Sequence, residues 1–135
     1  AEMQLQKSRI EDQLTGRFRQ INNNQIRSIT VSYRHDIPET DWAYGASYNE
    51  FEQAFFYRLD LRERPFNDPG SLGAFVEHKD VMGLTVRASL DNLLGTQEQF
   101  TRTFYDRRRT NPILFTEFRD RDYGPIFTLT ISGKI

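Results

Sequence analysis

The side chains with chemistry to offer are two histidines, two spaced carboxylate pairs and a run of arginines. His35 and His78 could ligate a metal, but each stands near the end of a strand-like segment beside a short turn. Set in strand-like stretches, both are expected to be structural. Asp120 with Asp122, and Glu50 with Glu52, could act as an acid/base pair, yet Arg or Phe interleaves them and a solvated charge ladder explains them better. Arg102, Arg107, Arg108, Arg109, Arg119 and Arg121 could hold phosphate. Against them stand Glu98, Asp106, Glu117, Asp120 and Asp122, a surplus of one positive charge, which fits a salt-bridged rim of a tall hairpin. Nucleophile elbow, P-loop and dinucleotide motifs are missing, so no catalytic residue, cofactor or metal site is expected.

The frame for these residues is one domain or a piece of one: 135 residues and 16.0 kDa. Eighteen basic against nineteen acidic residues give a net charge of −1, which offers nucleic acid no general attraction. Cysteine is absent, removing disulfides and thiol chemistry together. No apolar run approaches a spanning helix, and Ala1 to Gln6 do not read as a signal peptide. Eighteen aromatic residues at a mean hydropathy of −0.69 require strict patterning.

The period is two. Ile29, Val31 and Tyr33 alternate with Ser28, Thr30 and Ser32; Trp42, Tyr44, Ala46 and Tyr48 follow a break at Pro38 to Asp41. A slip near Glu50 to Ala54 shifts the apolar set to Phe55, Tyr57, Leu59 and Leu61, facing Arg58, Asp60, Arg62 and Arg64. Pro65 to Gly70 reads as an exposed loop. Leu72, Ala74 and Val76 form a further strand, and Lys79 to Gly83 a tight connection into Leu84, Val86, Ala88 and Leu90. Gln97 to Tyr123 reads as a tall hairpin with its tip at Arg107 to Pro112. Phe127, Leu129, Ile131 and Ile135 form a closing strand. Leu14, Gly16 and Phe18 read as a strand, and helix is plausible only over Ala1 to Asp12. The expectation is all-β: an antiparallel meander of about six long strands, with short turns at one end and long loops at the other. That is the plan of membrane barrels, with Trp42 and Tyr44 placed for an aromatic girdle.

Leu84-Thr85-Val86-Arg87-Ala88-Ser89-Leu90-Asp91-Asn92-Leu93-Leu94 resembles the penultimate up-strand of the TonB-dependent outer-membrane receptors. Arg102 to Tyr105 and Arg119 to Leu129 resemble their last extracellular hairpin and closing strand. Ser28 to Pro38 and Trp42 to Gly45 match a subgroup, so the likeness runs from about Ile10 to Ile135. It implies the C-terminal part of a barrel of about twenty-two strands around an N-terminal plug. Such a receptor takes up a scarce nutrient, a siderophore or carbohydrate, with TonB contacted through the part preceding this chain. The implied partners are the rest of the barrel, the plug and outer-membrane lipid, and the implied location is the bacterial outer membrane. The chain departs from the family in ending Ser132-Gly133-Lys134-Ile135 instead of on an aromatic residue. Six strands cannot close so wide a barrel, so this chain alone is expected to transport nothing and to self-associate. The competing reading is a soluble carrier of lipocalin or fatty-acid-binding type, which needs eight to ten strands with apolar residues inward. An enzyme has no catalytic constellation here.

Overall fold

In the computed structural model, residues 1–133 are described, with the side chains of 66–68 excepted. The strands are β1 (Glu2–Leu5), β2 (Ile10–Glu11), β3 (Phe18–Arg19), β4 (Gln25–Asp36), β5 (Trp42–Gln53), β6 (Phe56–Tyr57), β7 (Leu61–Asp68), β8 (Ser71–Val81), β9 (Leu84–Asp91), β10 (Gln97–Tyr105), β11 (Ile113–Asp122) and β12 (Ile126–Ser132). Ten of them form one antiparallel sheet, and β2 and β3 pair as a separate ribbon.

Six lines run through the large sheet. β7 pairs with β10 from Asp68↔Gln97 upward, while β8 pairs with β9 at Ala74↔Leu90. The two registers differ by one residue, so β7 and β8 are two halves of one descending line, and β9 and β10 of one ascending line. β11 and β12 continue each other in the same way beside them. With β1, β4 and β5, each line pairs antiparallel with its sequence neighbour among the six, as the meander predicts. The sheet is open: β1 has only β4 beside it, and β11 and β12 have only β10 and β9. No closed eight- to ten-stranded carrier barrel forms among the described residues.

The turns explain the asymmetry of the two ends. Met82 and Gly83 both have positive φ, 57° and 81°, the signature of a two-residue type I′ hairpin, and the Gly83 amide donates to Asp80 Oδ1 at 2.8 Å. Beside it, Ile37 N donates to Trp42 O at 2.9 Å across the Pro38 turn. At the far end, the β10–β11 hairpin rises to its tip at Arg107, φ 63°.

Three local expectations are corrected and one is borne out. Glu2–Leu5 is a strand, because Met3 and Leu5 pair with Ile29 and Arg27 of β4; no helix forms over 1–12. Leu14 to Gly16 is a turn, since the Asp12 carboxylate and carbonyl accept from the amides of Leu14, Thr15 and Gly16. The expected slip after Glu50 is present: Glu52 pairs with Phe66 and Phe56 with Glu63, so four residues of the β5–β6 line oppose three of β7, and a further irregularity lies on β4 between Gln25 and Arg27. Pro65 to Asp68 belongs to β7, with only Pro69-Gly70 breaking the line; Pro65 has a single ladder neighbour, Phe100, and proline is tolerated at such an edge-like position. The expected final strand residues Lys134 and Ile135 lie outside the described residues.

Gly45 shows how tightly the lines meet. A Cβ there would stand 2.2 Å from Tyr33 O and 2.6 Å from Phe75 Cε1. Because the nearer atom is backbone, which cannot swing aside, Gly45→Ala is expected to destabilise by about 3 kcal/mol, the upper end for overpacking. A urea titration in detergent micelles checks this, and an unchanged midpoint would show that the ring does not lie across the glycine.

Candidate lipid-facing surface

Paired residues in an antiparallel ladder share a face, so register alone assembles the surface. One row reads Tyr33, Ala46, Ala74, Leu90, Phe127; the next His35, Tyr44, Val76, Ala88, Leu129; the next Trp42, His78, Val86, Ile131. Val31, Tyr48 and Leu72 stand above them and Leu84 below. Across five lines this face carries no charged side chain, and nothing covers it: Phe127 is 65% exposed, Ile131 59% and Tyr33 56%.

The accessible area agrees. The chain exposes 9622 Å², whereas a compact folded chain of its mass exposes about 7,400 Å². Among the described residues the buried apolar set is Ala43, Ala54, Leu61 and Phe100, and no large side chain is fully buried. The sheet thus has one large uncovered apolar face and almost no core among the described residues.

The opposite face is wet. Arg34 meets Glu77 at 2.7 Å and Asp36 at 3.2 Å, Lys79 meets Asp36 at 2.5 Å, and Arg87 lies 3.7 Å above the Phe75 ring. Gly45, Ser47 and Gly73 fill the space beneath.

At the top of the apolar rows, three breaks in three lines lie at one level. The Asn92 side chain, buried, accepts from Thr96 N at 2.7 Å and donates to Gly124 O at 3.0 Å; Thr96 Oγ1 donates to Gly70 O at 3.0 Å. Asn92, φ 57°, thus ties Pro69-Gly70, its own bulge and Tyr123 to Pro125 into a seam. Above the seam both faces turn polar: Arg102 bridges Glu63 and Glu117, Arg119 pairs with Glu117 at 2.6 Å, and Phe100 lies beneath the Arg102 and Arg119 guanidinium groups.

The residues singled out for chemistry are now placed. His35 stacks between Tyr33 and Tyr44, and His78 meets Trp42 edge to face at 4.6 Å, both within the apolar rows. Glu50 accepts from Arg27 and Tyr48, Glu52 pairs with Arg64, Asp120 accepts from Gln99, and Asp122 caps Gly124. Arg121 reaches Glu98 and Arg107 reaches Asp106. The structure brings none of these into a catalytic pair. Arg109 is different: its partner is Asp12, 2.6 Å away from the other end of the chain, which also takes Arg19 at 3.0 Å. Burial raises the Asp12 carboxyl, but the hydrogen bonds from Arg109 and the Leu14 amide outweigh it and hold the group below the usual carboxylate range. No spacing rule could have joined these residues.

Among the described residues no group of three or more potential ligands is placed to hold a metal ion. No helix is long and apolar enough to cross a membrane, which has no bearing on crossing by strands. Comparison with protein-family models finds no match, nor does comparison with curated proteins or with solved structures.

Proposed function

We propose that this chain forms part of the wall of an outer-membrane β-barrel, the C-terminal portion of a TonB-dependent receptor that takes up a scarce siderophore or carbohydrate. The observation that carries the reading is the uninterrupted apolar face from Val31 to Ile131, uncovered and bounded by short turns at one end and tall hairpins at the other. From Leu84 to Asn92 the band is nine residues deep, and about nine to eleven tilted residues carry a strand across a bilayer. In this reading the apolar rows touch hydrocarbon and the Arg34–Glu77 face lines the lumen toward the plug. The open edges at β1 and at β11–β12 receive the remaining strands, and the chain alone transports nothing. The sequence motif around Asn92 adds support, since that residue forms the seam at which membrane-depth strands become external hairpins.

Trp42, the single tryptophan, reports on the face directly. With the chain folded into phosphatidylcholine vesicles, lipids brominated near the headgroup are expected to quench it more than lipids brominated at the chain ends, because its row lies at the lower margin of the band. In water without lipid the same face is expected to drive self-association, seen by light scattering. A stable monomer in water whose Trp42 emission ignores every brominated lipid would overturn the reading.

A further inference from the structure

Outside the apolar face, the β2–β3 ribbon closes over the sheet and leaves a cavity of about 270 Å³, in which Arg17, Arg19, Arg62 and Arg109 meet Tyr57 and Tyr105. Asp12 is the one carboxylate in the lining. It is committed to Arg19 and Arg109, so one negative charge answers four positive ones. The two committed guanidinium groups are fixed: both lie over the Tyr57 ring, at 4.9 and 4.8 Å, while Arg19 also donates to Asn22 Oδ1 at 2.8 Å and Arg109 to Arg58 O at 2.6 Å. Tyr57 is held in turn, its amide donating to Asn22 Oδ1 and its carbonyl accepting from Asn22 Nδ2. Arg17 and Arg62 have no carboxylate partner among the described residues. Arg62 is steadied only from one side, by the Phe55 ring at 5.3 Å.

We propose that this cavity binds a phosphate monoester carried on a sugar. A phosphate is the anion that several planar forks grip together, and the uncommitted Arg17 and Arg62 supply the donors. The aromatic walls of Tyr57 and Tyr105 offer an apolar ring face with a hydroxyl, which suits a sugar ring and is more than a bare ion needs.

The position of the cavity indicates two sources for such a ligand. Arg64 pairs with Glu52, which stands two alternations above Tyr48 on the apolar side, and Arg62 shares the side of Arg64. The ladder pairs Glu52, four residues above Tyr48, with Phe66, and Arg62 lies four residues further along β7, so Arg62 lies on the lipid-facing side, eight strand steps or about 26 Å along the strands above the Tyr48 row. With a strand tilt near 45° that is roughly 19 Å of height, beyond a simple headgroup but within reach of the carbohydrate of a glycolipid. The cavity chemistry stands without the barrel reading; only the choice between a free and a lipid-borne sugar phosphate rests on it.

In detergent micelles at low salt, titration with glucose 6-phosphate followed by calorimetry is expected to show saturable binding that weakens with added NaCl, and glucose is expected not to bind. Arg17→Gln and Arg62→Gln, which leave the Asp12 pairs intact, are each expected to lower affinity about tenfold, the worth of one charge-assisted hydrogen bond. Backbone amide exchange in β2 and β3 confirms that the ribbon is still docked in both variants. In vesicles containing a phosphorylated glycolipid, loss of the free sugar-phosphate response relative to the dephosphorylated lipid identifies the lipid as occupant; an unchanged response identifies the soluble sugar phosphate. The proposal is overturned if glucose 6-phosphate does not bind, if inorganic phosphate binds as tightly, or if both docked variants bind like the parent chain. None of those results touches the Trp42 test, so the two readings fail separately.

Discussion

Replacing Ala88 by arginine is expected to cost about 2–4 kcal/mol of folding stability in a bilayer, whereas Thr128→Arg, one row away on the other face, is expected to cost less than 1 kcal/mol. Ala88 sits in the middle row of the band, between Val76 and Leu129, so a guanidinium there would lie near the hydrocarbon midplane with no carboxylate in its row. Thr128 pairs with Ser89 on the wet side, where Arg34, Glu77 and Arg87 already stand in water. The comparison is internal: both substitutions place the same guanidinium on neighbouring strands, and its side is what differs most. Urea titrations of both variants in phosphatidylcholine vesicles read the difference. In detergent-free water the order is expected to vanish or invert, because Ala88→Arg interrupts the face that drives self-association. Equal stabilities of the two variants in vesicles would mean that the apolar rows do not meet lipid.

The reason this face could be read from sequence is that its period is two and its pairing is between neighbours. Ile29 to Tyr33, Trp42 to Tyr48, Leu84 to Leu90 and Phe127 to Ile131 alternate, Leu72 to Val76 more weakly with Phe75 on the other side, and a meander needs no long-range information to align them. The failures fall where alternation stops carrying information. Leu14 and Phe18 alternate with polar residues, yet the Asp12 side chain competes for the local amides and turns the chain. Pro65 to Gly70 has the composition of a loop, but the β7 ladder with β10 outlasts its turn residues up to Pro69 because only one side of Pro65 is paired. Breaks in the long lines were equally hidden. Asn92, Gly95 and Gly124 take positive φ to shift the alternation between the two storeys, and that shift is set by hydrogen bonds among three separate strands.

Charge balance misled for a related reason. Counting acids against the arginines of Gln97 to Tyr123 treats the hairpin as electrically self-contained, which holds for Arg119 and Arg121, while Arg102 already reaches outside it to Glu63. It fails for Arg109, whose carboxylate comes from Asp12 and whose cationic neighbours Arg17, Arg19 and Arg62 come from three other elements. The surplus charge of the cavity is a property of the folded assembly of β2, β3, β6 and β7, invisible in any one segment. Asp12 is thus the residue on which the ribbon's docking turns.

Asp12→Asn is expected to undock the β2–β3 ribbon. The substitution keeps the size of the side chain but leaves Arg19 and Arg109 facing an amide in place of a shared carboxylate, with Arg109 the more buried of the two. Breaking a buried ion pair from one side costs about 3–5 kcal/mol; since Arg19 keeps 22% of its side chain in water and can be rehydrated, the lower end applies. A loss of about 3 kcal/mol raises the open population roughly a hundredfold. Trypsin cleavage after Arg17 and Arg19 is expected to accelerate accordingly, while the β8–β9–β12 ladder keeps its amide protection. The parent chain should show the same opening in acid, where trypsin's own catalytic base is protonated and the readout is instead amide exchange in β2 and β3 relative to the intrinsic rate. Because the Asp12 carboxyl is held below its ordinary value in the folded chain, its contribution is complete above the usual carboxylate range and is lost as pH falls through the lowered value. Asp12→Asn should abolish that pH dependence, its ribbon amides staying weakly protected throughout. Ribbon protection in the parent that holds unchanged down through the acid range, or a variant cleaved no faster than the parent at neutral pH, would show that the ribbon is held by something other than this carboxylate.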